Sequence, residues 1–434
     1  SYKIPSQGGR RSGSKSFMPN MSQQSNIALY LSNKSDKNFI LNEILENSFL
    51  NAFVDLSVLK GVLYSSITID KIIEEEIQHD KILIQSEGNK NLRTMSSGQQ
   101  RKALLEYLLV QNPEFILLDD VYSNIDKQTQ QEITRTLNKL GNSTLLIQIL
   151  FRKRDLLDTI DTIYFVDNQN KISHSESRKI FTEKPQIYKT DKPSFVLPKR
   201  YSDNLIETGL LVELNNINVN YEDKKVLHNL NWTIKKGEFW QLIGPNGSGK
   251  STLVSMISGD NPKAYRQDIT LFGRKKGSGE SIWDIKSKIG YFTPAMIHQF
   301  KRSSTVEEMI ISGIVDSVGL YIQPTDIQKD IANEWLHVLG IKDKKTLFQK
   351  ISLGQQRMVM VARAMVKHPA LLILDEPTIE LDDENTLLFI DLIQAIAREK
   401  DTAIIYISHR DEDNLNPNKI FELIKTENGY TGIG

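Results

Sequence analysis

Two stretches of the chain repeat one succession of polar and apolar positions. Met95 to Asp120 reads MSSGQQRKALLEYLLVQNPEFILLDD, and Ile351 to Glu376 reads ISLGQQRMVMVARAMVKHPALLILDE. In each, a polar turn opens a helical stretch and an Asn-Pro or His-Pro pair breaks it. A short apolar run then ends in two carboxylates. Twenty-three positions separate Ser96 from Asp119 and Ser352 from Asp375, and a further Asp follows seven positions later in each, Asp126 and Asp382. Agreement in order and spacing predicts an internal duplication. In the second half the runs FWQLIG, DITLFG, IGYF, LLILD and TAIIYIS alternate with helical stretches. Such alternation predicts an α/β fold, a sheet covered by helices, in each half.

The polar stretch Asn168 to Thr208, with Pro185, Pro193 and Pro198, reads as a linker with short structure around KIFTE and SFVLP. This divides the chain into residues 1–167, 168–208 and 209–434. Lys plus Arg equals Asp plus Glu, 54 against 54, so no global charge draws the chain to nucleic acid or anionic lipid. With no cysteine, disulfides and thiol chemistry are excluded, and a reducing cytosol is the expected setting. No apolar run approaches the ~20 residues needed to span a bilayer. A role at the inner face of a membrane therefore calls for a separate partner subunit.

Gly244-Pro245-Asn246-Gly247-Ser248-Gly249-Lys250-Ser251-Thr252 fits GxxxxGK[ST] between the strand FWQLI and the helical STLVSMIS. Glycines let successive N–H groups curl toward one phosphate, and the following helix adds its positive end. Lys250 is placed to reach the β- and γ-phosphates, and Ser251 to offer a hydroxyl to Mg²⁺. Asp375 is the expected second magnesium ligand. Glu376 is the candidate base for the attacking water, and His409, at the end of IYISH, a contact for the γ-phosphate.

These motifs, in this order, resemble those of ATP-binding-cassette (ABC) ATPases. WQLIGPNGSGKSTLVSMISGD, DITLFGRKKGSGESIWDIKSKIGY and MVKHPALLILDEP further resemble the tandem molybdenum-transport ATP-binding (photorepair) family. The resemblance covers Gly209 to Gly434 and, in the first half, mainly Asn91 to Asp126. It implies two P-loop cassettes in tandem, ATP hydrolysis with Mg²⁺, and ATP held between the P-loop of one cassette and the signature turn of the other. Tyr221 stands where such proteins place an aromatic that stacks on adenine. A Tyr in a strand or turn with no ligand contact is the rival reading.

The first half reads as degenerate. Gly9-Arg10-Arg11-Ser12-Gly13-Ser14-Lys15-Ser16 echoes a P-loop, but with Ser14 for the last glycine and no apolar strand before it, so a flexible basic terminus is the better reading. The half is then expected to lack its first strands. Asp120 replaces the catalytic Glu, and Phe151 falls where His409 stands. Its signature turn, Ser96-Ser97-Gly98-Gln99, is intact. The expectation is one competent site: Lys250, Ser251, Asp375, Glu376 and His409 in cis, Ser96 to Gln99 in trans, with Asp126 and Asp382 in the connecting loops. The halves pair with each other or with a second chain.

One residue departs from the transporter pattern. Where cassettes place a Gln after IGY, this chain has Pro294, and Gln299 is out of register. The expected function is the ATP-binding subunit of a transporter with a separate permease. The alternative is a soluble ABC mechanoenzyme acting on ribosomes or nucleic acid.

Overall fold

The computed structural model describes residues 25–46, 49, 56, 58–79, 82–84, 91–184, 195–199, 209–222, 224–321, 323–410 and 412–434. The Gly9–Ser16 segment lies outside the described residues. The first half contains β1 (Ile27–Tyr30), α1 (Lys37–Leu45), β2 (Gly61–Tyr64), α2 (Ser66–His79), α3 (Ser97–Val110), β3 (Phe115–Leu118), α4 (Lys127–Leu140), β4 (Leu145–Leu150), β5 (Thr162–Val166), β6 (Ile172–Ser177) and α5 (Arg178–Glu183). The second contains β7 (Leu210–Tyr221), β8 (Lys224–Lys235), β9 (Phe239–Ile243), α6 (Lys250–Ile257), β10 (Asp268–Leu271), β11 (Arg274–Lys275), α7 (Ile282–Lys286) and β12 (Ile289–Phe292). It continues with α8 (Val306–Ser312), α9 (Asp326–Val338), α10 (Leu353–Met365), β13 (Leu371–Asp375), α11 (Asp383–Glu399), β14 (Ala403–Ile407), β15 (Lys419–Thr426) and β16 (Gly429–Ile433).

The first sheet has the order β2-β3-β4-β1-β5-β6, and the second β11-β10-β7-β8-β16-β15-β9-β14-β13-β12. Read from its far edge, the second sheet begins β12-β13-β14-β9-β15-β16, strand for strand the order of the first. The duplication is therefore complete in the central sheet. Among the described residues, the first half has no counterpart of β7, β8, β10 and β11, the antiparallel strands on the other edge. The central strands run parallel and are apolar on both faces because helices cover both. Two apolar layers follow in each half, around Leu104, Ile116 and Leu146 on one face of the first sheet and Leu29, Leu117 and Ile147 on the other.

Two sequence expectations need correction. Ile172–Ser177 and Arg178–Glu183, assigned to the linker, belong to the first half: β6 pairs antiparallel with β5, and Phe181 of α5 packs into the core. Of the described linker residues, Phe195 and Leu197 pack against the second half. A strand of the kind that precedes a P-loop does occur in the first half, but after Gly9–Ser16 rather than before it, as β1. It lies between β4 and β5 as β9 lies between β14 and β15. The loop that follows, Leu31 to Asn38, therefore occupies the place of Gly244 to Ser251. Asn33-Lys34-Ser35-Asp36-Lys37 answers Asn246-Gly247-Ser248-Gly249-Lys250 at every second position, with each glycine replaced. Those glycines carried the motif, so their loss hid it.

The two halves meet head to tail. Arg152, at the end of β4, is buried in the second half. Its guanidinium donates to both carboxylate oxygens of Glu412, at 3.1 and 3.0 Å, while Nε donates to Leu381 O at 2.9 Å. Arg410, at the matching position after β14, reaches back to Asp155 at 3.0 Å. Removing one member of a buried pair strands the other charge, at a cost of about 3–5 kcal/mol, whereas an apolar pair of similar volume is often tolerated. Arg152→Met is therefore expected to lower the melting temperature sharply, and adding Glu412→Leu to recover much of the loss, as calorimetry of the two variants would show.

Candidate active site

The P-loop takes its shape from glycines in backbone conformations other residues avoid. Gly244, Gly247 and Gly249 have φ of 153°, 75° and 99°. A Cβ on Gly249 would lie 2.7 Å from Leu227 Cδ2, and one on Gly244 would lie 2.9 Å from Leu423 Cβ. Gly249 precedes α6 and offers no side-chain cap, so the first N–H groups of the helix remain available to an anion. Lys250 Nζ bridges the loop's own carbonyls, Gly244 O at 2.7 Å and Pro245 O at 3.0 Å. Burial lowers its pKa to about 8, against the pull of Glu376, Asp375 and Asp126.

Opposite the loop stands the signature turn of the first half. Ser96 caps α3 by accepting from Gln99 N, and the Gln99 side chain returns to Ser96 N at 3.0 Å. Gly98 lets α3 approach α4 closely, since a Cβ there would lie 3.1 Å from Thr129 Oγ1. It is Ser97 that faces the second half. Asn246 Nδ2 donates to Ser97 Oγ at 3.1 Å and to Asn124 O at 2.9 Å. The backbone N–H of Asn246 also donates to Asp126, the cap of α4. Burial pushes the Asp126 carboxyl up, but this donor and those of Thr129 outweigh it and hold the pKa below the usual value.

These groups enclose one cavity of about 790 Å³ lined by Ser97, Tyr221, Lys250, Ser251, Asp375, Glu376 and His409 among others. Such a volume suits a nucleotide-sized ligand. Tyr221 sits at its margin on β7, with its hydroxyl accepting from Asn261 Nδ2 at 3.0 Å and Lys263 over its ring. Asp375 ends β13, and burial raises its pKa against the charge of Lys250. Glu376 follows at φ 50° and accepts from His409 N at 3.0 Å. Burial and the charge of Asp375 raise its pKa to about 7. That is a carboxyl poised to exchange a proton near neutrality.

The cavity also contains residues the sequence did not single out. Thr293, Ala295, His298 and Arg357 line it beside Pro294. Pro294 opens a short 3-10 turn, Pro294–Gln299, so the chain turns at once where a Gln was expected. The Tyr291 hydroxyl lies 3.5 Å from Asp375 Oδ2. No motif marks Thr293, Ala295 or His298, and Arg357 ends the repeated GQQR run without having been assigned a role. Thr293, Ala295 and His298 meet the cavity because β12 lies beside β13 in the sheet, and Arg357 reaches it from α10. Asp382 stands apart from this cavity, at the other junction of the halves, where it caps α11.

Residues 227–379 match the ABC transporter family. The ABC transporter ATP-binding protein ModF of Escherichia coli is 35% identical over 346 residues, covering 75% of this chain and 68% of that one. The chain belongs to the ABC ATP-binding proteins. An uncharacterised ABC transporter ATP-binding protein of Schizosaccharomyces pombe is 30% identical, covering 74% of this chain and 66% of its own length. The chain thus spans about two thirds of each of these relatives. A ribosome-bound archaeal Pelota and ABCE1 structure overlays 94% of the chain and 74% of its own, with a TM-score of 0.62 at 18% identity, a likeness of tandem fold. This ABC protein is accordingly an ATP-binding, ATP-hydrolysing enzyme. Among the described residues no helix is long and apolar enough to cross a membrane.

His409 is largely buried beside Lys250, and burial together with that charge lowers its pKa to about 4. An unfolded His takes up its proton near pH 6.5, so this group's contribution to stability is full above that pH and is lost as pH falls toward about 4. Histidine NMR of the ATP-free protein should show His409 neutral from pH 8 to 5. A midpoint near 6.5 would contradict the burial argument.

Proposed function

We propose that ATP binds between the two halves of one chain, in the cavity that Lys250 and Ser97 share, and that its hydrolysis there drives a separate membrane permease. The observation that carries this is the pair of bonds from Asn246 to Ser97 and Asn124, which joins the P-loop of one half to the signature turn of the other. The loop N–H groups and Lys250 hold the β- and γ-phosphates, Ser97 closes over the γ-phosphate from the first half, and Tyr221 stacks on the base. Glu376 accepts a proton from water as its oxygen attacks the γ-phosphorus and the bond to the bridging oxygen breaks, with ADP leaving. His409, neutral, contacts the γ-phosphate.

Ser251 and Asp375, at the end of the loop and of β13, fit magnesium, which typically takes one or two protein oxygens and completes its shell with phosphate and water. When bound it offsets the negative charge of the phosphate oxygens. The first half keeps the signature turn but neither the glutamate nor the histidine: Asp120 stands for Glu376 and Phe151 for His409. The transported substrate would come from a partner; for molybdate only the family resemblance speaks.

Pro294 favours a second reading. Lacking the Gln that lies at this position in transporter cassettes, the same ATPase would work as a soluble mechanoenzyme. Co-purification with a membrane protein or with ribosomes, from cells expressing a Glu376→Gln form trapped with ATP, separates the two.

Glu376→Gln is expected to cut turnover by roughly 10²–10⁴-fold while ATP binding is retained. Undiminished hydrolysis would remove Glu376 from its role. Ser97→Arg in the first half should lower kcat/KM on the order of 10²-fold, as expected for loss of a group facing transition-state charge. Unchanged turnover would break the assignment of the two halves to one site. With Glu376 near 7 and Lys250 near 8, kcat/KM should rise with pH through about 7 as the base ionises. It should fall above about 8 as the lysine loses its charge. A profile flat from pH 6 to 9 would exclude both groups.

A further inference from the structure

The loop Leu31–Asn38 stands where the first P-loop would be, and its chemistry is inverted. None of its residues takes the left-handed backbone found at Gly244, Gly247 and Gly249. Its N–H groups therefore do not curl around one point. Asp36 caps α1 with its own carboxylate, accepting from Phe39 N at 3.0 Å. A side chain thus supplies the anion that a phosphate supplies at the corresponding end of α6. Lys37, the counterpart of Lys250, turns to buried Asp119, the counterpart of Asp375, at 3.2 Å. Burial opposes its charge, but Asp119, Asp120 and Glu380 outweigh it and keep the ammonium protonated. Asp120, Phe151 and Glu380, the counterparts of Glu376, His409 and Asn124, line a space of about 30 Å³, room for a water.

Across this face the halves touch directly. Asn33 N donates to Asp382 Oδ2 at 2.6 Å, Asn33 Nδ2 to Glu380 O at 2.8 Å, and Asn33 Oδ1 accepts from Asp382 N at 2.8 Å. Tyr30 Oη and Lys153 N each donate to Asp383 Oδ2 at 2.8 Å. The bonds from Asn33 to Glu380 O and to the Asp382 carboxylate repeat those from Asn246 to Asn124 O and to Asp126; what this face adds is the return bond from Asp382 N to Asn33 Oδ1 and the bonds of Tyr30 and Lys153 to Asp383. The geometry points to a nucleotide-independent clasp: this face binds no ATP, holds the halves together through Asn33 and Asp382 at every stage, and leaves the Lys250 face alone to open and close. The inference rests on ATP acting at the Lys250 site, and it adds a fixed axis about which the halves swing.

The chain has no cysteine, so spin labels can be placed on introduced pairs without removing native thiols. Exposed Asn38 and Glu384 flank the clasp, and exposed Gln128 and His228 flank the Lys250 face. In a Glu376→Gln background, adding ATP should shorten the Gln128–His228 distance and leave Asn38–Glu384 unchanged. Equilibrium dialysis should give one nucleotide per chain. Two nucleotides per chain, or a clasp distance that follows ATP, would overturn the proposal. Without any nucleotide, Asn33→Leu should broaden the Asn38–Glu384 distribution while circular dichroism stays native, and an unbroadened distribution would equally overturn it. If ATP fails to bind at all, the Lys250 reading falls, and the Asn33→Leu comparison still decides the clasp.

Discussion

The head-to-tail register of the halves is the constraint on which the rest depends. Asn246 spans it, with its side-chain amide on Ser97 and Asn124 and its backbone N–H on Asp126. Slide one half by a turn of helix and Lys250, Glu376 and Ser97 no longer border one space. The register is fixed away from the cavity by Arg152 in the second half and Arg410 against the first. Buried charges of this kind add little net stability but tolerate few alternative docking geometries, because a shifted partner leaves a stranded charge.

Within that frame the cavity's electrostatics follow from burial. Glu376, Asp375 and Lys250 are all withdrawn from water, and each is moved toward its neutral form. A triphosphate in this space would oppose that shift for the lysine and hold its proton. The site is thus matched to an anionic ligand by what its side chains lose in its absence.

Much of this was legible in the sequence because glycines and carboxylates at fixed spacing leave a trace. The loop Gly244–Thr252, the Asp375-Glu376 pair and the Ser96–Gln99 turn all lie where their motifs implied. The repeat from Met95 to Asp126 foretold two similar sheets. What escaped were relations that only packing creates. The counterpart loop at Leu31–Asn38 keeps Asn33, Ser35 and Lys37 but no glycine, and β1 before it is four residues long. The linker boundary was set by polarity, yet polar β6 lies on a sheet edge where alternation with solvent is expected. Ser97 rather than Ser96 faces the cavity because Ser96 is taken up in capping α3. His298 arrives from a neighbouring segment that no spacing rule connects.

The left-handed backbone on either side of each carboxylate strand has a wider reach. Asp120 and Glu376 both sit at φ 50°, Asn124 and Glu380 at 59° and 65°, and Asn112 and His368 at 48° and 49°. Such conformations are often read as strain held in reserve for catalysis. Here the half with Asp in place of the Glu and Phe in place of the His has kept all three. The unusual angles therefore belong to the path that leads into this strand and from it to the facing loop. In this architecture a contorted backbone is inherited scaffolding, and only the side chain mounted on it tells a working site from a retired one.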